Sequence, residues 1–259
     1  MLKTLLAIDV GNTSIECGVF KGDNLLTNWK LTSEVNRSSD ECWQTVSFFC
    51  QQAGISTDDL DSMALASVVP AHSYSFLGMA VERITENPLD ISARSCPFLK
   101  IKYENPGQVG ADRLCNAYAG FQKYKGPLII VDFGTAITFD IVDADGAYLG
   151  GVIAPGPVTS ARSLNQKTSR LPLVSLDFPS AIIGQTTIHS IQSGITWGIV
   201  DLVDGLIGRI SDEFDVQPKV ISTGGYAHVY APQSKTFRQV EEHLVLNGIQ
   251  LIFEKSDEK

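Results

Sequence analysis

Asp9-Val10-Gly11-Asn12-Thr13 follows the apolar run Leu5-Leu6-Ala7-Ile8 and leads into a second strand-like stretch, residues 14–20. A short continuous apolar run bounded by turn residues reads as a buried strand. Gly11 and Asn12 are residue types that readily take the positive φ of a tight strand-to-strand turn. Such a turn leaves successive backbone N–H groups pointing outward, which makes a cradle for an anion. Thr13 adds a hydroxyl donor. Asp9, at the carboxyl end of the strand, would repel phosphate unless a cation lay between them. The stretch therefore reads as a phosphate loop with a metal-supporting carboxylate.

The same unit occurs again downstream. Leu128-Ile129-Ile130-Val131 is a short apolar strand, Asp132-Phe133-Gly134-Thr135-Ala136 is its turn, and residues 137–142 return as a strand. Two ordinary hairpins with Asp-Gly turn chemistry would explain each copy separately. They would not explain why both the Asp and the Gly-Thr recur at domain-sized separation. The repeat predicts two related halves closing on one nucleotide, with the acidic turns across a cleft.

Composition bounds this reading. At 259 residues and 44% apolar content the chain has room for one large domain or two smaller ones with a sizeable core. A net charge of −9 disfavours non-specific nucleic-acid binding and attachment to an anionic membrane surface. The five cysteines are odd in number and lack metal-ligand spacing, which suits a reducing cytosol. The start carries no signal-peptide pattern, and no apolar run reaches spanning length, so a cytoplasmic location is expected. The four histidines are scattered, which argues against a zinc site.

Taken in order, residues 25–31 read as a third strand, and Ser38-Ser39-Asp40-Glu41 as a helix start with a capping side chain and acids in the first turn. Trp43, Val46, Phe49 and Cys50 follow at helical spacing, and Gly54 ends that helix. Residues 63–69 read as a strand closed by Pro70, with an amphipathic helix over 74–84. Asn105-Pro106-Gly107 is loop or turn. A helix begins near Gly110 and places Asp112 and Arg113 in its first turn. Asp suits the positive end of a helix and Arg does not, so Arg113 is expected to meet an anionic ligand or a structural carboxylate. Gly150-Gly151 implies close approach of a backbone or a ligand. Ile191, Ile195, Gly198, Ile199, Leu202, Val203, Leu206 and Ile210 mark the core face of a long central helix. Thr223-Gly224-Gly225 after a strand permits adenine or ribose to approach the backbone. Residues 246–253 suggest a final helix. The linker region at 123–126 divides the chain into halves 1–124 and 125–259.

In order, Asp9-x-Gly11-Asn12-Thr13, Asn105-Pro106, Gly110-Ala111-Asp112-Arg113, Asp132-x-Gly134-Thr135-Ala136, Gly150-Gly151, Pro155-Gly156 and Thr223-Gly224-Gly225 resemble type III pantothenate kinase over nearly the whole chain. Gly-Ala-Asp-Arg is the most family-specific element. The Asp-Gly turns alone would indicate the wider actin, sugar-kinase and Hsp70-like ATPase superfamily. The resemblance implies an α/β fold of two actin/ribonuclease H-like half-domains. Each would be a mixed, five-stranded type of sheet flanked by helices, with the nucleotide in the cleft between them. It implies ATP-dependent phosphorylation of pantothenate to 4′-phosphopantothenate, with Mg²⁺ or another divalent cation, K⁺ or ammonium, and a homodimer.

Position by position, the resemblance makes Asp112 the catalytic base and Asp9 the Mg²⁺-supporting carboxylate. Residues Asp9, Val10, Gly11, Asn12, Thr13, Ser14, Ile15 and Glu16 form the first ATP-binding segment. Thr135, Gly224 and Gly225 are further ATP contacts, and Asp132 is the monovalent-cation ligand. Tyr103, Gly110, Ala111, Asp112, Arg113 and Thr187 are substrate-site positions, with Thr186 the alternative to Thr187. Another kinase of the superfamily, a non-catalytic nucleotide-binding regulator and a nucleotide polyphosphate hydrolase are the competing readings. The acidic balance argues against direct DNA contact by such a regulator, and an intact Asp112 argues against loss of chemistry.

Overall fold

A computed structural model describes residues 3–258. By internal contacts the chain divides into two compact units. The first comprises the chain up to Lys123, with Gly146–Tyr148 and the segment from Leu244; the second comprises Tyr124–Asp145 and Leu149–His243.

The first unit opens with a meander of β1 (Thr4–Val10), β2 (Ser14–Lys21) and β3 (Asn24–Thr32). It continues through α1 (Ser39–Gln52), β4 (Ser62–Ser67), α2 (Pro70–Arg83), β5 (Leu89–Asp90) and α3 (Ala111–Tyr124). The sheet order is β3-β2-β1-β4-β5. β1 is antiparallel to β2 and parallel to β4. Both faces of β1 are covered, which is why its sequence is apolar at nearly every position. Side chains alternate along a strand. Leu6, Ile8 and Val10 therefore share a core with Cys42, Val46 and Cys50 of α1 and Phe76, Met79 and Ala80 of α2. Leu5 and Ala7 face the opposite way, into a core with Ala111 and Cys115 of α3. That second core includes Leu246, Ile249 and Ile252 of the C-terminal helix, Leu244–Asp257. The same period of two puts Asp9 on the α3 face.

The second unit holds β6 (Leu128–Phe133), β7 (Ala136–Val142), β8 (Tyr148–Pro155), α4 (Pro157–Lys167), α5 (Thr187–Ser211), β9 (Lys219–Thr223) and the short α6 (Ala227–Tyr230). The C-terminal helix is α7. Sheet order is β8-β7-β6-β9, with β6 antiparallel to β7 and parallel to β9. Beyond β9 the ladder continues as a single bridge from Ser222 to Val240, so the fifth position of this sheet is vestigial. Ile129, Val131 and Phe133 pack with Ile191, Ile195, Ile199, Val203 and Ile207 of α5. Asp132, one residue out of phase, faces away from that core.

Helix ends follow local chemistry. Ser38 caps α1 in a reciprocal box: its hydroxyl oxygen accepts the Glu41 N–H, and the Glu41 carboxylate accepts the Ser38 N–H at 2.8 Å. Several expectations are corrected. β4 stops at Ser67, and Pro70 starts α2 instead of closing the strand. Proline at the first helical position forfeits no hydrogen bond, because that N–H has no helical acceptor. Leu202 is 37% exposed, and the buried stripe of α5 runs at intervals of four through Ile191, Ile195, Ile199, Val203 and Ile207. α7 clusters with the first unit, because its apolar face completes the core beneath β1 and its Gly248 lies directly on the Cys115 backbone.

Candidate active site

The first acidic turn joins β1 to β2. Val10 pairs with Ile15, and between them run Gly11, Asn12, Thr13 and Ser14, the last already the first residue of β2. The Gly11 N–H donates to the Ser14 carbonyl at 3.0 Å and closes the loop. Neither Gly11 nor Asn12 has a positive φ, in contrast to the sequence expectation. With four residues in hand the chain reverses without a left-handed step. Glycine eases a different constraint: a Cβ on Gly11 would lie a tight 3.2 Å from the Ser14 carbonyl oxygen that its own N–H bonds. Asn12, Thr13 and Ser14 are exposed. Val10 and Ile15 are fully buried, so only their backbones could face a ligand. Glu16 pairs with Lys30 at 3.1 Å.

Asp112 sits in the first turn of α3, where the positive helix end favours its charged form. Its Oδ1 accepts the Arg113 N–H at 2.8 Å. Gly110 makes this posture possible, since a Cβ there would run into Asp112 Oδ1. Burial raises the Asp112 pKa above its ordinary value; the Arg113 N–H bond and the Arg113 charge pull the other way without cancelling it. The buried Cys115 thiol, one turn further along α3, is also pushed up, first by burial and then by the charges of Asp9 and Asp112. Both carboxylates therefore lie around one position of the first unit.

Arg113 lies over the ring of Tyr148, 5.8 Å from its centroid, and Tyr103 packs on the same ring at 6.3 Å. Tyr148 thus joins two of the residues singled out in the sequence. It escapes sequence reading because it sits at the start of a strand far from both.

In the second unit, Asp132 pairs with Thr138 and Thr223 and ends in a turn closed by the Gly134 N–H to the Ala136 carbonyl at 3.0 Å. Thr135 is exposed at its tip. The Thr135 carbonyl accepts from the Gly156 N–H at 3.1 Å and from Thr159 Oγ1 at 2.6 Å. Gly156 touches the turn backbone so closely that a Cβ would overlap it. Gly224 has φ +89°, and a Cβ there would lie 2.7 Å from the Phe133 backbone and overlap Asp132 Oδ1. Its missing side chain makes room for Asp132, whereas Gly225 next to it faces open space. Thr186 caps α5, accepting the His189 N–H at 3.2 Å, so the Thr187 hydroxyl is the one left uncommitted. Both threonines line a concavity of about 800 Å³ with Leu164, Leu171 and Gly194.

No helix among the described residues is long and apolar enough to cross a membrane, and no three His, Cys, Asp or Glu side chains there gather to hold a metal ion. Comparison with known proteins places this geometry in context. The family model for type III pantothenate kinase matches residues 5–209. A type III pantothenate kinase of Geobacter sulfurreducens is 42% identical over 98% of this chain and 100% of its own length. One of Thermomicrobium roseum is 40% identical, covering 97% of each chain. Among solved structures, a dehydratase activator of Clostridium difficile with bound ADPNP superposes with a TM-score of 0.56 at 14% identity, covering 98% of this chain and 96% of that one. A ROK hexokinase of Thermus thermophilus gives 0.54 at 13%, covering 99% and 100%. At such identities these two show the fold, that of the actin-like ATPases and sugar kinases. With a family model and near-full-length relatives in agreement, the chain belongs to the type III pantothenate kinase family.

Proposed function

We propose that the chain transfers the γ-phosphoryl group of ATP to the primary hydroxyl of pantothenate with Asp112 as proton acceptor. Membership of the family makes it a kinase that phosphorylates pantothenate in coenzyme A biosynthesis. The single observation that carries the residue assignment is the posture of Asp112. Its carboxylate is partly buried, bonded by the Arg113 N–H and raised in pKa. A base whose pKa is moved toward working pH is a better proton acceptor than an ordinary solvated aspartate.

Phosphoryl transfer needs mainly positioning and charge neutralisation. The Gly11–Thr13 turn would hold phosphate oxygens through its amides, and Asp9 would support Mg²⁺. A hard divalent ion in such a site takes one or two carboxylates and completes its shell with phosphate oxygens and water. Asp9 fits that donor count as one carboxylate, and Asp132 fits a single-carboxylate contribution to a K⁺ or ammonium site. When bound, the cations neutralise charge on the phosphates. Thr135, Gly224 and Gly225 would meet the nucleotide. Arg113, held over Tyr148, would pair its planar fork with the substrate carboxylate, beside Tyr103 and Gly110. Thr187, not Thr186, would be the α5 contact. We place the reaction in the cytosol, where five free thiols persist. We assign a homodimer, supported by the exposed Ile182, Ile183 and Ile188, with Ile183 at 80%.

The test is ADP release from MgATP with and without pantothenate, in K⁺ and in Na⁺ buffer, for the parent and Asp112→Asn. Pantothenate-dependent, K⁺-dependent turnover that drops by about 10²–10⁴-fold in the variant is expected. Full activity in the variant moves the proton acceptor elsewhere. Equal rates in K⁺ and Na⁺ remove the monovalent site. A single-chain mass by sedimentation removes the dimer.

A further inference from the structure

The Gly11–Ser14 connection is supported from the end of β3. Ser33, the first residue after β3, donates its hydroxyl to the Gly11 carbonyl at 2.7 Å and its N–H to the Thr13 carbonyl at 3.0 Å. A trans peptide is planar, and its N–H points opposite to its C=O. Turning the Gly11 and Thr13 carbonyls toward Ser33 therefore aims the Asn12 and Ser14 amides away from it. The Asn12 amide is one of the donors proposed for the Gly11–Thr13 phosphate turn, and the Ser14 amide borders it at the start of β2. Ser33, remote in sequence, bonds both of these carbonyls.

Ser33 is itself held. Its carbonyl receives a hydrogen bond from His72 Nε2 at 2.9 Å. A carbonyl only accepts, so Nε2 carries the proton. His72 lies in the first turn of α2 and is 2% exposed, and its own N–H bonds the Val69 carbonyl at 3.2 Å. The order of support runs from α2 through His72 to Ser33 and on to the turn. A buried imidazole with a committed donor is stiffer than a solvated side chain, so the turn is fixed before any ligand arrives. Pre-orientation of this kind lowers the cost of binding and aligns donors for the transition state.

We propose that Ser33 is the positioning residue of the nucleotide-phosphate turn and that buried His72 holds it in place; this rests on the reading of Gly11–Thr13 as the phosphate turn. Neither residue touches the reacting atoms.

Ser33→Thr and Ser33→Val test this directly, because the two side chains have nearly the same shape and differ in the hydroxyl. Both Michaelis constants and the kcat of each variant are measured, with binding of a non-hydrolysable ATP analogue by calorimetry. Loss of one such hydrogen bond predicts a KM for ATP about fivefold to tenfold higher in the Val variant than in the Thr variant. The KM for pantothenate should agree within about twofold between them. His72→Gln, which retains an N–H donor, should lie nearer the parent in ATP KM than His72→Leu. Equal ATP constants and equal analogue affinities in the Thr and Val variants overturn the proposal. Gly11→Val in parallel separates the two layers of the argument. An ATP KM that rises in Gly11→Val with no Thr/Val difference keeps the phosphate turn and removes Ser33. An ATP KM unmoved by Gly11→Val removes the phosphate turn itself.

Discussion

At the scale of one residue, the proton-acceptor role proposed for Asp112 would oppose stability. Its folded-state pKa is raised above the ordinary 3.8, chiefly by burial. The folded state then binds the proton more tightly than the unfolded chain. The charged carboxylate opposes folding at pH values above the folded-state pKa, and that cost disappears once pH falls below the unfolded value. Asp112→Asn removes the charge and keeps an oxygen to accept the Arg113 N–H. The expected outcome is an inactive protein with a higher Tm near neutral pH than the parent, by about 2–4 °C for each kcal/mol relieved. The two melting curves should converge as pH falls through 3.8. Thermal melts of both ligand-free proteins across pH check this; a lower Tm for the Asn variant at neutral pH would show that the charge stabilises the fold. Asp112 and Gly110 were legible in the sequence, because a helix start and an adjacent glycine are local features. Tyr148, which holds Arg113, was not: its meaning comes from a ring brought in by the chain's return, and no spacing announces it.

The two acidic turns compare at the scale of elements. Each follows a buried strand whose last carboxylate lies out of phase with an apolar core, and each closes through the amide of its glycine, Gly11 or Gly134. In each, the carbonyl of the turn threonine is bonded from outside, Thr13 by the Ser33 N–H and Thr135 by the Gly156 N–H and Thr159 Oγ1. The strands, the acids and the turns were readable, because short apolar runs ending in Asp-x-Gly are continuous in sequence. The supports were not readable, since Ser33, His72 and Thr159 are ordinary polar residues until the fold brings them to the turn. The assumed reason for the first glycine also differed, with a tight approach to the Ser14 carbonyl replacing positive φ at Gly11. The misplacement of Leu202 is likewise physical. A nearly all-apolar helix offers several stripes, and only packing on β6 and β7 selects one. If the second turn works like the first, Thr159→Val weakens it while the Gly156 bond remains. A rise in ATP KM of about twofold to fivefold is expected, with pantothenate KM unchanged. An unchanged ATP KM would mean that the Gly156 N–H alone holds Thr135.

For the whole molecule, the cysteines offer a probe of where nucleotide acts. Cys17, Cys42, Cys50, Cys96 and Cys115 are all buried thiols, and all lie in the first unit. Burial pushes the Cys17 and Cys115 pKa values well up, raises that of Cys42 to about 11, and raises that of Cys50. The thiolate is the nucleophile, so these groups are doubly protected near neutral pH, by ionisation and by access. A disulfide-exchange reagent should leave the native protein unlabelled on the timescale of seconds and titrate five thiols in denaturant. Slow labelling of the native protein then reports opening of the first unit, which a ligand bound only to the closed form suppresses by mass action. If the Gly11–Thr13 turn and Asp9 hold MgATP, labelling should slow by about 100-fold at a nucleotide concentration 100 times its Kd. Cys115, between Asp9 and Asp112, should show the effect most clearly when labelled peptides are resolved by mass. Labelling rates indifferent to saturating MgATP would place the nucleotide's binding energy outside the first unit, and the assignment of the first turn would fall with it.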